Sequence, residues 1–241
     1  MVTYLMRHGR TPYSASYRVN GDPTIAVILD DEGVQQCRAA RTLVPTSDIA
    51  TCLTSNFPRT AESAKLVLGV QPARMQSVVG LGEIDYGTFE GLPFQDYAEW
   101  LSEHGPWARP PGSAESQREA IARMLEALRT VLDWPGPRLV VAHGLLVSVV
   151  LWARDGSAGD RSDLLFFPEA PCAVPLAHDD VELTSLIDDI AGCLSCDNWT
   201  QPSGVRGYPR RQLQVRPVLL PSATGSQWAE AQVQEEGNSD A

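Results

Sequence analysis

A cation and a nucleophile lie side by side at Arg7-His8-Gly9, directly after the apolar run at residues 2–6. A second apolar run, residues 138–142, ends in His143-Gly144. An imidazole can attack an electrophilic centre, and a guanidinium binds phosphate through two parallel hydrogen bonds. Loops that leave the carboxyl ends of strands carry the chemistry of open α/β sheets. The two runs therefore predict two strands that deliver two histidines to one sheet edge.

The elements that must position these histidines alternate between strand patterns and helix patterns. Pro58 and Gly69 suit the start and the stop of one helix, and a capping box at residues 116–119 precedes another. The predicted strands cover residues 2–6, 49–54, 74–79, 138–142 and 172–176, and the predicted helices cover 34–43, 58–68, 94–101, 121–132, 145–153 and 180–194. This alternation predicts a three-layer α/β/α fold with a mostly parallel central sheet.

Length and composition bound the organisation of the chain. Its 241 residues are 43% hydrophobic and 20% charged, which is ordinary for a globular protein. We expect one α/β domain over residues 1–197 and an extension over 198–241, which is rich in Pro, Gly, Ser, Gln and Glu. No stretch approaches the roughly 20 apolar residues of a membrane span, and no secretory signal pattern precedes the first strand. We therefore expect a cytoplasmic protein with no membrane partner.

Charge and cysteine usage narrow the partners and cofactors. A net charge of -11 argues against nucleic acid or an anionic membrane as a partner, so local arginines must bind any anionic substrate. The five cysteines, an odd number, do not suit a disulfide framework, and reduced thiols are expected. Cys172, His178, Cys193 and Cys196 could together form a four-ligand zinc site, but their spacing does not demand one. We predict no metal and no cofactor.

Five short segments carry the candidate chemistry, and they follow one another in a fixed order over residues 1–150. They are Arg7-His8-Gly9-Arg10-Thr11, Gly21-Asp22-Pro23 with residues 29–35, residues 54–64 around Arg59, residues 83–91 from Glu83 to Gly91, and Val141-Ala142-His143-Gly144. Together these segments resemble the histidine phosphatase superfamily in its phosphoglycerate mutase-like branch. The three-layer fold predicted above is the fold that this resemblance implies.

The resemblance also implies a two-step phosphoryl transfer. His8 would attack phosphorus to form a phosphohistidine, while Arg7, Arg59 and His143 would hold the transferring group. The neighbouring cations would lower the pKa of His8 and keep it nucleophilic. Glu83 corresponds to the family's proton donor, and it needs a raised pKa for that role. No metal is implied, because the arginines supply the electrostatic stabilisation.

Six further residues are predicted to bind the substrate. They are Arg10, Ser14, Asn20, Gly21, Tyr86 and Gly144. Arg10 and Ser14 stand where the family usually has Glu or Gln and Asn, which puts efficiency or substrate choice in doubt. Arg10 would add positive charge beside the pocket, and the Ser14 hydroxyl reaches less far than an Asn amide. For Asn20, Gly21 and Tyr86, a structural role explains the residue types nearly as well as substrate binding does. Asn20-Gly21 suits a turn, and Tyr86 suits simple packing.

Differences between this sequence and the motifs of related enzyme groups favour one reaction over the others. Pro12 resembles the proline in the opening motif of the superfamily's acid phosphatase and phytase branch. However, Thr11 stands where that branch has Arg, and His143 is followed by Gly144 rather than by that branch's Asp. Phosphoglycerate mutases carry a long basic insertion and an Asn after His-Gly, where this chain has a Pro-rich loop and Leu145. The sequence therefore predicts a metal-independent phosphomonoester hydrolase that acts on a small phosphorylated metabolite.

Two alternatives stay open at this point. The first is a phosphoglycerate mutase-type phosphotransferase. The second is a phosphate-binding pseudoenzyme or a non-hydrolytic biosynthetic enzyme on the same fold, which Arg10, Ser14 and the unusual C-terminal third make credible. Assembly as a homodimer is a further open expectation.

Overall fold

A computed structural model describes residues 1–69, 75–155 and 165–195 of the chain. The proposed extension from residue 198 onward and Cys196 lie outside this part. Within it, no helix is long and apolar enough to cross a membrane.

The described residues form a five-stranded sheet at the centre of the fold. Its strands are β1 (Val2–Arg7), β2 (Thr51–Thr54), β3 (Met75–Ser77), β4 (Arg138–Ala142) and β5 (Leu176–Asp179). They lie in the order β3-β2-β4-β1-β5. The first four are parallel, whereas β5 runs antiparallel to β1 at one edge. The predicted mostly parallel sheet is therefore confirmed.

Seven helices are described around this sheet. They are α1 (Pro12–Ala15), α2 (Asp31–Ala40), α3 (Pro58–Leu68), α4 (Phe94–His104), α5 (Gln117–Val131), α6 (Gly144–Arg154) and α7 (Asp180–Ser195). Local chemistry sets several of their ends. Pro58 is at the first turn of α3, and Gly69 ends that helix at a positive φ of 75°. The predicted capping box of α5 is present between Ser116 and Glu119.

Alternation along the strands divides the core into two layers. Leu5 and Val140 pack into one hydrophobic cluster with α5, α6 and α7, whereas Met6 and Val141 pack into a second cluster with α2 and α3. Successive strand residues point to opposite faces of a sheet, so both faces of β1 and β4 are covered. This arrangement confirms the three-layer α/β/α class.

Two predicted strands differ from the structure in their limits. The predicted strand at 74–79 ends at Ser77, because the chain turns into a short 3₁₀ helix at Val79–Leu81, and Arg74 lies outside the described residues. The predicted strand at 172–176 is wrong. Ala173 has a φ of 53°, which an extended strand cannot accommodate, and the strand starts only after Pro175, at Leu176.

Candidate active site

The register of the sheet brings the two predicted histidines together. Arg7 at the end of β1 pairs with Ala142 at the end of β4, so His8 and His143 follow at the same sheet edge. The backbone N–H of His8 donates to the Ala142 carbonyl at 3.0 Å. The centroids of the two imidazole rings lie 5.3 Å apart, with the rings nearly perpendicular.

The hydrogen bonds of His8 determine which ring nitrogen is nucleophilic. Nδ1 lies 2.7 Å from the Gly9 carbonyl oxygen, which can only accept, so Nδ1 carries the proton. Nε2 accepts from Arg59 Nε at 3.0 Å and therefore keeps its lone pair. Burial, followed by the charges of Arg59 and Arg7, lowers the pKa of His8 well below its ordinary value. The ring is consequently neutral at physiological pH, with its unprotonated Nε2 held on the Arg59 Nε–H group.

Arg59 connects the residues of this cluster. It lies in the first turn of α3 and is 3% exposed. Its Nη1 donates to Asn20 Oδ1 at 2.5 Å, and its Nη2 donates to the Asn20 carbonyl at 3.0 Å. Burial lowers the pKa of Arg59 to about 10, so the guanidinium is still charged at neutral pH. A buried planar cation with several donors suits a phosphoryl group.

His143 is fully buried behind Arg59. Its Nδ1 lies 3.1 Å from Arg59 Nη2, which can only donate, so Nδ1 accepts and Nε2 carries the proton. Nε2 donates to Ser55 Oγ at 2.7 Å. Burial, then the charge of Arg59, lowers the pKa of His143 well below its ordinary value. His143 is thus a neutral side chain that is hydrogen bonded to the guanidinium of Arg59.

Arg7 lies on the other side of His8. Its Nη1 donates to the Ala170 carbonyl at 2.7 Å and lies 3.4 Å from a carboxylate oxygen of Glu169. Among the described residues, its buried Nε has no hydrogen-bond partner. A Cβ added to Gly144, the first residue of α6, would lie 3.5 Å from this Nε. The Arg7 side chain therefore occupies the space between the start of α6 and residues 169–170.

Glu83 follows the 3₁₀ turn after β3 and faces the same cavity. Its Oε1 accepts from the Ile84 N–H at 3.0 Å. Burial raises the pKa of Glu83, although that hydrogen bond and the charges of Arg59, Arg7 and Arg123 oppose the shift. A carboxyl group that holds its proton to a higher pH is suited to general acid catalysis.

Two positioning residues were not singled out from the sequence. Glu90 accepts from Asn20 Nδ2 at 2.8 Å and from the Gly21 and Asp22 N–H groups at 2.7 and 3.1 Å, which fixes Asn20 against Arg59. Arg123 donates to the carbonyl oxygens of Gly80, Gly82 and Glu83 and so fixes the loop that carries Glu83. Glu90 is the second-last residue of the segment 83–91, and its place in that segment is the sequence signal for it. Arg123 has no such signal.

The predicted substrate-binding residues divide into two groups. Ser14, Asn20, Tyr86 and Gly144 line the cavity, but the Ser14 hydroxyl is part of the capping box of α1 with Thr11. Arg10 and Gly21 do not line it. A Cβ on Gly21 would come within 1.9 Å of the Ile84 carbonyl, so close backbone approach explains this glycine.

Arg10 does not add free positive charge beside the pocket. Its Nε lies 2.9 Å from Asp30 Oδ2, and its Nη1 contacts Glu32 at the start of α2. Its backbone N–H donates to Gln36 Oε1. These acidic partners direct the side chain away from His8, toward α2.

A cavity of about 940 Å³ opens from this cluster. Arg7, His8, Arg59 and Glu83 line one end of it. Residues of α4 and of the segment 165–171 contribute to its other walls. The cavity is therefore larger than a phosphate group requires.

Cys172, His178, Cys193 and Cys196 are the residues that the sequence offers as possible ligands of a zinc site. Within the part of the chain that the structure describes, no group of three or more metal-ligating side chains lies close together. Cys196 lies outside that part. Cys172 instead makes a backbone bridge with Arg7, and His178 is buried beside Glu182 at 3.2 Å.

Comparison with known proteins places this site in a family. The family model for branch 1 of the histidine phosphatase superfamily matches residues 3–171. The chain belongs to this superfamily.

Individual relatives share the fold at moderate sequence identity. The chain is 26% identical over 156 residues to the probable phosphoglycerate mutase GpmB of Yersinia pestis (strain Pestoides F). This alignment covers 61% of this chain and 72% of that protein. The phosphoglycerate mutase structure from Thermus thermophilus is 25% identical with a TM-score of 0.53, covering 75% of this chain and 94% of that one.

A phosphatase structure shares the same fold. The alpha-ribazole phosphatase from Shigella flexneri has a TM-score of 0.57 at 19% identity, covering 74% of this chain and 90% of that one. This structure shows the shared fold, whereas family membership and the mutase relative support a phosphatase or a mutase.

Proposed function

We propose that the protein is a phosphomonoester hydrolase that works through a phosphohistidine on His8. The observation that carries this proposal is the state of His8. Its Nδ1–H is fixed on the Gly9 carbonyl, its unprotonated Nε2 accepts from Arg59 Nε, and the ring lines a cavity together with Arg7 and Arg59. A neutral, oriented imidazole between two cations is what attack on a phosphoryl group requires.

The first step transfers the phosphoryl group to the enzyme. His8 Nε2 gives up its hydrogen bond from Arg59 Nε and forms a bond to phosphorus, and the ester P–O bond breaks with its electron pair on the leaving oxygen. Glu83 gives its proton to that oxygen, which releases an alcohol. Arg7 and Arg59 neutralise charge on the equatorial oxygens, and His143 keeps its Nε2 proton, which stays hydrogen bonded to Ser55.

The second step returns the enzyme to its starting state. Water attacks phosphorus and loses a proton to the Glu83 carboxylate, while the P–N bond breaks and its electron pair returns to His8 Nε2. Inorganic phosphate leaves, and Glu83 is again protonated. No metal enters either step.

The related mutases make phosphoryl return to the substrate the main alternative. A mutase must hold an intermediate with two phosphoryl groups, which requires a second set of cations. Among the residues that the structure describes, the one further arginine that lines the cavity beside Arg7 and Arg59 is Arg18, which is exposed and donates to the Gly91 carbonyl at 2.7 Å. This favours transfer to water over transfer to a second substrate position.

Phosphate release from an aryl phosphate, measured with a metal chelator present, tests the proposal. We expect wild-type enzyme to release phosphate and the His8→Ala variant to lose this activity by about 10⁴-fold or more. His104→Ala is the matched control, because His104 is exposed and stacks on Trp100 at 4.8 Å, outside the cavity lining. Near-normal turnover by His8→Ala would refute the proposal.

A further inference from the structure

The cavity has two chemically different ends. One end holds the charged cluster around His8 and Arg59. Much of the remaining wall is formed by aromatic and aliphatic side chains, which include Tyr86, Phe94, Tyr97, Leu165, Phe166 and Phe167. Since the charged end already accounts for the phosphoryl group, this second wall must face the rest of the substrate.

The aromatic side chains of this wall pack on one another. Phe94 and Tyr97 lie one helical turn apart on α4, with ring centroids 6.2 Å apart. Tyr86 meets Tyr97 edge-on at 4.9 Å, and Phe94 meets Phe166 edge-on at 6.3 Å. Two elements that are distant in sequence, α4 and the segment 165–167, thus join in one aromatic surface. Such a surface favours flat apolar groups.

Several polar side chains on the cavity wall are already hydrogen bonded within the protein. Gln117 Nε2 donates to the Leu165 carbonyl at 2.9 Å, and Gln117 Oε1 accepts from Arg118 at 3.1 Å. Gln95 donates to Glu99 at 2.8 Å. A leaving group that hydrogen bonds to either of these two amide side chains would have to break the existing bonds, which costs free energy.

Charge on the wall also disfavours a second anionic group. Glu169 lines the cavity with its carboxylate 46% exposed, next to Arg7. Within the described part of the chain, Arg18 is the remaining arginine that lines the cavity, and its side chain is exposed and bonded to the Gly91 carbonyl. A small polyanionic substrate would therefore meet a carboxylate and an apolar surface beyond the phosphoryl site.

We infer that the substrate is a phosphomonoester whose alcohol part is a bulky apolar group with an aromatic ring, held by the surface that Tyr86, Phe94, Tyr97 and Phe166 form. This inference rests on the proposed function, because it assigns the phosphoryl group of the substrate to the cluster at His8. It excludes a three-carbon phosphorylated acid as the preferred substrate.

Equilibrium binding of non-hydrolysable phosphonates tests the inference without catalysis. 2-Naphthylmethylphosphonate and methylphosphonate carry the same charged group and differ in the apolar part. Burial of the naphthyl ring predicts binding about 30-fold tighter or more for the first. Equal binding of the two, or tighter binding of 3-phosphoglycerate than of the naphthyl compound, would overturn the inference.

Cavity-wall variants assign the effect to the aromatic surface. Phe166→Ala and Phe94→Ala should each lose about 10-fold in affinity for the naphthyl compound and leave methylphosphonate unchanged. Phe166→Leu, which keeps the wall apolar, should lose less and guards against a folding defect. Trp134→Ala is the matched control, because Trp134 is partly exposed outside the cavity lining and should not change either affinity. Unchanged naphthyl binding in both Phe variants would contradict the inference.

Turnover separates failure of the inference from failure of the proposed function. We expect 2-naphthylmethyl phosphate to be hydrolysed with a kcat/KM about 100-fold above that of 3-phosphoglycerate. Hydrolysis with the opposite preference would overturn the substrate class and leave the phosphohistidine mechanism intact. Tight naphthyl binding without hydrolysis of any phosphomonoester would support the ligand class and overturn the proposed function.

Discussion

The two ends of the cavity differ in how the chain builds them. The charged end is placed by the sheet, because β1 and β4 are buried parallel neighbours and end in His8 and His143. The aromatic end is placed by α4 and by residues 165–167, outside the sheet. The comparison indicates that phosphoryl chemistry is fixed by the central scaffold, whereas the choice of substrate depends on surrounding segments that can change without moving the nucleophile.

Among the residues that surround His8, Arg59 is expected to have the largest effect on the charged end when it is removed. Its guanidinium touches His8, Asn20 and His143, so Arg59→Met removes a phosphate ligand and uncouples both histidines. We expect kcat/KM to fall about 1000-fold on aryl phosphates. Arg129→Met, which changes an exposed arginine paired with Asp188, is the control and should be near wild type. A loss below tenfold for Arg59→Met would show that Arg59 does not stabilise the transition state.

Glu83→Gln tests the proton donor within the same end. Alkyl leaving groups need protonation more than aryl leaving groups, so we expect kcat to fall about 100-fold on an alkyl phosphate and much less on an aryl phosphate. Equal losses on both substrates would count against Glu83 as the acid.

The pH profile of the alkyl reaction gives a second readout of Glu83. Burial raises the Glu83 pKa, so its acid form persists to higher pH, and activity should decline only as pH rises through that raised pKa. Burial and nearby arginines lower the His8 pKa, so loss on the acid side should begin only at low pH. Glu83→Gln should abolish the alkaline decline, once substrate ionisation is accounted for. A decline that persists unchanged would assign it to another group.

Glu90→Gln tests a residue that supports the charged end from outside the cavity. Glu90 accepts three hydrogen bonds from residues 20–22, and a glutamine amide would place a donor against backbone N–H groups. We expect about a tenfold lower kcat/KM and a loss of about 1–3 kcal/mol in the free energy of unfolding. Glu126→Gln, at an exposed position of α5, is the control. Wild-type rates and stability for Glu90→Gln would remove its positioning role.

Arg10→Gln is expected to have the smallest effect. The side chain is paired with Asp30 and Glu32 and does not line the cavity. Kinetic constants measured on aryl phosphates should therefore stay within about twofold of wild type. A larger change in KM would show that Arg10 reaches the substrate and would extend the charged end beyond Arg7 and Arg59.

Sequence patterns predicted the charged end better than the aromatic one. Apolar runs before His8 and His143 imply buried strands, and parallel strands bring their carboxyl ends to one edge, so their proximity follows from local information. The orientation of the Arg10 side chain could not be predicted in this way, because it depends on the carboxylates of Asp30 and Glu32, which lie next to it only after folding. Arg123 likewise acts on carbonyl groups some 40 residues earlier in the chain.

The aromatic wall could not be predicted for a related reason. Phe94 and Tyr97 have the spacing of an ordinary core face on a helix, and Phe166 lies in an irregular segment, so no periodicity joins them. The predicted strand at 172–176 failed because the left-handed turn at Ala173 is not visible in residue type. Contacts between distant segments decide both features.

Trapping the covalent intermediate tests the central claim most directly. Enzyme mixed with a ³²P-labelled aryl phosphate, quenched in base within one turnover and digested, should yield a labelled peptide that carries residues around His8 and loses its label in acid. His8→Ala should give no label, and His104→Ala should label like wild type. Turnover that continues with no label on His8, or with the label on another residue, would contradict the account.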